Sequence, residues 1–354
     1  MIQIIVPTII VGAILKGIIF YNASDEYQYY WNYEIENKKG YVSQRMETDN
    51  KIRGLSLYQL GRLKNLQLEE VIKSNVEWLA VHPYFYQSNE TSLDISNPKR
   101  IRYGAQKDSV LINEIIKAKY KGFSVMLKPH LWLQEGWRSN IHFETKEEWG
   151  KWFIEYKKQM LYYAILAEET NIELLCIGTE LRSSIENLPE EWLLFIREIK
   201  KVYSGKLTYA ANWNDPIFEM NTQFWQELDF IGIQGYFPLT TTINPQLEEI
   251  IKGWEKPLKT LERITSKFNR PILFTEIGYR ADSKATVKPW EWYSIWSPLT
   301  TKVSTESQVL AYEAFFQSIW DKKWFAGSFI WQWNSFDFGI RGKPAQNIIT
   351  KWYN

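Results

Sequence analysis

The sequence predicts an α/β protein built as a single (β/α)8 TIM barrel, preceded by an N-terminal apolar segment and a spacer. Three observations carry that expectation. Eight short apolar runs recur from about residue 51 onward. Each is followed by a longer amphipathic or polar segment, the alternation expected of parallel strands buried on both faces. The first run leads into "GLSLYQLGR" (54–62), which lacks the Gly-rich phosphate turn that an open doubly wound sheet would carry there. Eight units over the length left to them fit one closed barrel better than an open sheet.

The eight runs, in order, are "KIRGLSL" (51–57), "VEWLAVHPYF" (76–85), "GFSVMLKPHL" (122–131), "IELLCIGTEL" (172–181), "KLTYAANW" (206–213), "LDFIGIQGYF" (228–237), "RPILFTEIGY" (270–279) and "FAGSFIWQWN" (325–334). Each is read as one strand. Between them, "DSVLINEIIKAKYKG" puts Leu111, Ile115 and Ala118 on one helical face and stops at Gly122. Trp149, Trp152, Phe153, Tyr156, Met160 and Ala164 fall at helical spacing in "EEWGKWFIEYKKQMLYYAILAEET".

The first 21 residues are apolar from Ile2 to Tyr21 apart from Gln3, Thr8 and Lys16. A signal anchor or export segment is expected, a possible membrane tether through residues 2–21, because the polar stretch after it offers nothing to pack against. A buried first strand or helix is the alternative. Residues 22–50 read as a spacer or N-terminal extension and 51–354 as the barrel domain. Location follows: membrane-anchored or secreted, with the cytoplasm as alternative. A monomer is expected.

With 42 Lys+Arg against 41 Asp+Glu, the charge gives no reason to expect a nucleic-acid partner. The single cysteine, Cys176, lies in an apolar run and reads as a core thiol. The three histidines, His82, His130 and His142, show no metal-ligand spacing, so neither metal nor cofactor is expected. Tryptophan is in surplus: there are 18, which serve either heavy packing or flat platforms in a cleft.

In a barrel of this kind the C-terminal strand ends carry the chemistry. Two acids stand there, Glu180 at the end of the fourth run and Glu276 in the seventh, both following buried segments. Around them fall His82 and Tyr84, then Lys128, His130 and Trp132, Asn212 and Trp213, Tyr236, and Trp331 and Trp333. Two carboxylates whose environments push their proton affinities apart suit glycoside hydrolysis. One donates a proton to a leaving oxygen while the other attacks the anomeric carbon, and aromatic rings stack on sugar faces. Tyr236 is placed to hold the ionised acid through its hydroxyl. Gly278 lets the chain turn away directly after Glu276. No Ser-His-Asp arrangement with a nucleophile elbow is present.

The blocks "LKPHLWL", "GWR", "CIGTEL", "YAANW", "LDFIGIQGYFPL", "FTEIGYR", "SFIWQW" and "GKPAQ" resemble glycoside hydrolase family 113 of the clan A barrels, a group of β-mannan-degrading enzymes. The resemblance covers nearly all of residues 51–354. It implies a retaining endo-β-1,4-mannanase-like hydrolase with Glu180 as acid/base and Glu276 as nucleophile. It matches Tyr236 to the clan's strand-six tyrosine and Trp331 or Trp333 to the strand-eight platform beneath the sugar, with Trp331 preferred. The clan's usual Asn before the acid/base is replaced by Thr179, so Asn212 or Trp213 is expected to take over its contact with the sugar 2-hydroxyl.

His130, Trp132, Arg138, Asn212, Trp213, Tyr236, Trp290, Trp331 and Trp333 are therefore the expected substrate-binding residues, with Trp292 and Trp296 beside Trp290 in one loop. Structural roles stand against them: His130 as a satisfied histidine, Arg138 as a loop brace, the Trp loop as packed on itself. Lys128 reads as a core-facing partner for a carboxylate. The expected partner is a β-linked oligo- or polysaccharide. The rivals are the same chemistry on another β-glycan (β-glucanase, xylanase or exo-β-mannosidase) and a non-catalytic glycan-binding barrel.

Overall fold

The computed structural model describes residues 45–57, 65–96, 108–220, 223–292, 303–335 and 337–354. The predicted apolar segment, most of the predicted spacer, and Trp296 lie outside the described residues. Among the described residues, no helix is long and apolar enough to cross a membrane.

The eight runs form a closed, all-parallel barrel. Its strands are β1 (Ile52–Ser56), β2 (Trp78–Val81), β5 (Ser124–Leu127), β7 (Leu174–Thr179), β8 (Lys206–Asn212), β9 (Phe230–Gln234), β10 (Ile272–Ile277) and β11 (Phe325–Ile330). The last closes on the first, with Ile52 opposite Gly327. Side chains alternate across the barrel wall, as strand geometry requires. Inward-facing Ile52, Trp78, Ala80, Met126, Leu174, Cys176, Ala210, Phe230, Leu273, Ala326 and Phe329 form one buried cluster, large beside small. Cys176 is thus a core thiol, as predicted. The outward-facing set packs under the helices in a second, larger cluster.

Two runs differ from expectation. The second and third were each read as one strand to residues 85 and 131, but each is cut in two. Pro83 and Pro129 lack the backbone N–H that a barrel ladder needs, and their fixed φ turns the chain outward. It re-forms beyond each proline as β3 (Tyr84–Gln87) and β6 (His130–Leu133), which pair in parallel outside the barrel. The short β4 (Ile95–Ser96) adds an antiparallel edge. This small sheet stands over the C-terminal mouth and carries His130 and Trp132.

The helix Lys146–Glu169 buries Trp149, Trp152, Phe153, Tyr156, Met160 and Ala164, the predicted stripe. A capping box starts it: the Thr145 hydroxyl accepts from the Glu148 N–H at 3.2 Å, and the Glu148 carboxylate accepts from the Thr145 N–H at 3.0 Å. Trp152 Nε1 donates to Gln87 Oε1 at 2.8 Å, fastening the small sheet to this helix. The helix Asp108–Tyr120 buries Leu111, Ile115 and Ala118, and Gly122 stops it with φ +89°. At the opposite, N-terminal end of the barrel, Arg45 Nε pairs with Glu77 at 2.6 Å and Arg53 with Asp49 at 2.5 Å. These pairs dock residues 45–50 on the barrel floor.

Thr145→Ala should cost about 1 kcal/mol, the usual worth of such a cap. A urea midpoint unchanged from the parent chain would contradict the capping role.

Candidate active site

Glu276 lies within β10, buried at the mouth. Its two oxygens have different partners. Oε1 accepts from Lys128 Nζ at 2.5 Å, and Oε2 accepts from the Tyr236 hydroxyl at 2.9 Å. Lys128 directly follows β5 and is fully buried, and it also donates to Gln234 Oε1 at 2.9 Å. It is the carboxylate partner that the sequence predicts. Burial alone pushes the Glu276 carboxyl upward. The Lys128 charge, a charge on His82 and the hydrogen bonds from Lys128 and Tyr236 together outweigh it, leaving Glu276 below the ordinary glutamate value. Burial also holds the His82 imidazole down to about 3, so at neutral pH the Lys128 and Tyr236 contacts are what keep Glu276 ionised.

Glu180 directly follows β7 and is equally buried. Its backbone is left-handed, φ +54°, which swings the side chain off the strand direction. The Glu180 N–H donates to the Ala210 carbonyl at 2.8 Å, and its own carbonyl accepts from Ser139 Oγ at 2.7 Å. Oε2 accepts from Arg138 Nη2 at 2.8 Å. Burial raises this carboxyl, Arg138 opposes it, and repulsion from Glu276 adds to it; the balance lies above the ordinary value. Two buried glutamates on the fourth and seventh barrel strands thus have environments of opposite sense.

His130 Nε2 lies 3.9 Å from Glu276 Oε1, and the His130 ring stands edge-on to His82 and Tyr84. Burial holds its imidazole well below the ordinary range, so it is neutral. Trp331 stands edge-on to His82, ring centroids 5.3 Å apart, and touches Trp292. Both His130 Nε2 and Trp331 Nε1 are buried without a hydrogen-bond partner among the described residues. Tyr236, Glu276, His130 and Trp331 are therefore brought together. Trp333 is not: it lines a separate cavity of about 490 Å³ with Glu70, Asn334, Arg341 and Lys343. Asn212 ends β8 opposite Gln234, and Trp213 beyond it stacks on Trp290 at 27° between planes. Trp290 joins Trp213 rather than packing on its own loop.

Nine of the described tryptophans are buried, which answers the surplus largely by packing. The four exposed ones, Trp132, Trp137, Trp290 and Trp292, all sit around the mouth. Trp132 extends outward from His130 along β6 with Tyr84 against its ring. Gly278 serves space rather than conformation. Its φ is not left-handed, but a Cβ there would lie 2.3 Å from the Trp331 carbonyl oxygen. Gln234, Ser139 and Trp137 escaped the sequence reading of the site, because their place depends on which strands meet. His82 was read as a strand-end residue beside the acids but not as a substrate-binding one. His82, His130 and Glu276 have ligand atoms within 4.8 Å of one another, a spacing open to a metal ion. The Lys128 ammonium already occupies the Glu276 oxygen nearest His130 and supplies the positive charge there.

The model of glycoside hydrolase family 113 matches residues 61–347. The chain belongs to glycoside hydrolase family 113. It is a glycoside hydrolase of (β/α)8 fold. A β-1,4-mannanase of this family, solved as a complex, superposes with a TM-score of 0.70 at 23% identity over 86% of this chain and 98% of that one. The family 113 β-mannanase AaManA from Alicyclobacillus acidocaldarius, in complex with ManMIm, gives 0.72 at 23% over 86% and 97%. A Ruminococcus gnavus β-glucuronidase shares the fold more distantly, at 0.57 and 12% identity, over 86% of this chain and 50% of its own. Curated protein sequences yielded no match.

Lys128→Met should cost about 3–5 kcal/mol at neutral pH, because it strands a buried carboxylate. The cost should shrink in acid. The parent's depressed Glu276 confers stability above its unfolded value, which is lost as pH falls, whereas the variant's freed carboxyl takes up its proton earlier. Removing both charges, in Lys128→Met with Glu276→Gln, should cost less than Lys128→Met alone. Urea unfolding from pH 4 to 7 measures all three, and equal losses for single and double variants would exclude the pairing.

Proposed function

We propose that this protein is a retaining glycoside hydrolase that cleaves β-1,4-mannosidic bonds in mannan or manno-oligosaccharides by double displacement. The observation that carries the reading is the opposed tuning of the two buried glutamates. Glu276, held ionised by Lys128 and Tyr236, is suited to attack the anomeric carbon. Glu180, raised by burial, is suited to carry the proton that the departing glycosidic oxygen needs.

In the first displacement the Glu276 carboxylate forms a bond to the anomeric carbon as the C–O bond to the leaving sugar breaks. Glu180 passes its proton to that oxygen. In the second, Glu180, now a carboxylate, takes a proton from water while the water oxygen bonds to the anomeric carbon. Glu276 leaves as a carboxylate. The neutral His130 imidazole and the Trp331 indole N–H, both buried at the acids, suit sugar hydroxyls. Trp132, Trp213 with Trp290, and Trp292 suit sugar faces further along the cleft. The mannan preference draws on the family and on the two β-mannanases that share the fold.

Glu276→Ala should lose turnover by several orders of magnitude. Azide should restore it with a product of inverted configuration, read by proton NMR; a fully active variant refutes the nucleophile. The kcat/KM profile should be bell-shaped, its acid limb below the ordinary glutamate value from Glu276 and its basic limb above it from Glu180. Sized products from mannan, cellulose and xylan test the substrate, and release from either of the others but not mannan overturns the mannan assignment.

A further inference from the structure

Arg138 and Ser139 grip Glu180 from one short turn, Arg138–Asn140, that follows the small sheet. Arg138 reaches the carboxylate at 2.8 Å while Ser139 Oγ donates to the same residue's carbonyl at 2.7 Å. The turn is itself braced: Ser183 Oγ donates to the Ser139 carbonyl at 2.6 Å, and the Trp137 N–H donates to Glu90 Oε1 at 2.8 Å. The Arg138 guanidinium lies over the Trp137 ring, 4.8 Å from its centroid, with only 11% of its side chain exposed. Glu180 needs such a grip, because a left-handed backbone in a non-glycine residue is unfavourable and persists only when its surroundings enforce it.

We infer that Arg138 is a positioning residue for the acid/base: it fixes the direction of the Glu180 carboxyl and stabilises its ionised form. This rests on the reading of Glu180 as the acid/base. The carboxylate is created when Glu180 gives up its proton to the leaving oxygen, and it must then accept one from water. A fixed cation on Oε2 stabilises that carboxylate between the two halves, leaving Oε1 free of the guanidinium. Other groups facing Glu180 act the opposite way or at longer range. Glu276 from β10 repels it, Lys128 from the end of β5 attracts it, and Tyr209 and Asp215 from the β8 side and Tyr236 beyond β9 interact with it electrostatically. Arg182, on the helix that follows Glu180, faces Asp215. Among the described residues, Arg138 is the cation bonded to the Glu180 carboxylate.

The test is the pH dependence of kcat/KM on an aryl β-mannoside for Arg138→Met, Arg138→Gln and Arg138→Lys in the full chain. The two neutral variants should move the basic limb upward by about one pH unit or more, since an adjacent opposite charge is worth that much. Arg138→Lys, which keeps the charge, should restore the limb. A purely structural loss would lower activity without moving it. With a dinitrophenyl leaving group, the neutral variants should also accumulate glycosyl-enzyme as a burst, because a more basic but largely protonated Glu180 activates water poorly. A basic limb at its parental pH in whichever neutral variant folds overturns the inference. Glu180→Ala separates the two readings. If it keeps the parental basic limb on the dinitrophenyl substrate, the acid/base assignment itself falls. If it loses that limb while the neutral Arg138 variants keep theirs, only the Arg138 role falls.

Discussion

The mouth of the barrel is organised by one buried cation. Lys128 has no solvent around it, and its ammonium bonds to Gln234 and Glu276. A lysine is tolerated there only because it is paired, and the pairing constrains three strands at once. It joins the end of β5 to β9 and β10, which lie on the far side of the barrel order. Gln234 is tied in turn to the Thr275 hydroxyl at 3.2 Å, beside the acid itself. The same contact that closes the top of the core therefore fixes where Glu276 points and keeps it ionised.

Glu180 is built on the opposite plan. Its bonded cation among the described residues, Arg138, comes from a turn outside the barrel, and its carbonyl is held by Ser139. Burial is the largest influence on both acids; it prevails at Glu180, whereas at Glu276 the neighbouring charges and hydrogen bonds together outweigh it. Two identical side chains, each at the end of a barrel strand and each nearly inaccessible, acquire different chemistry from what stands next to them. Environment decides the division of labour between paired carboxylates.

Much of this was legible in the chain. All eight barrel strands sit inside the eight apolar runs, because strands buried on both faces must be continuously apolar. Glu180 and Glu276 stood out because an acid ending such a run is anomalous. Lys128 was legible for the same reason. The small sheet was missed although its cause, Pro83 and Pro129, lay in plain view. An apolar run continues unbroken across both prolines, and periodicity does not say that the second half pairs elsewhere. The choice between Trp331 and Trp333 was open for a related reason: both are apolar, and two residues apart on an extended chain share a face. Beyond β11 the chain is no longer a regular strand, so only Trp331 ends up beside His82 and the acids.

The amino-acid sequence by itself determined the barrel, the strand that carries each acid, and a mouth rich in aromatic residues. These follow from local composition, which the burial of each strand dictates. Only the tertiary structure decided which oxygen of Glu276 meets Lys128 and which meets Tyr236, that Arg138 turns to Glu180, and that Trp290 stacks on Trp213. Those contacts join residues 40 to 148 positions apart. Their existence depends on barrel closure and strand register, which no local pattern encodes.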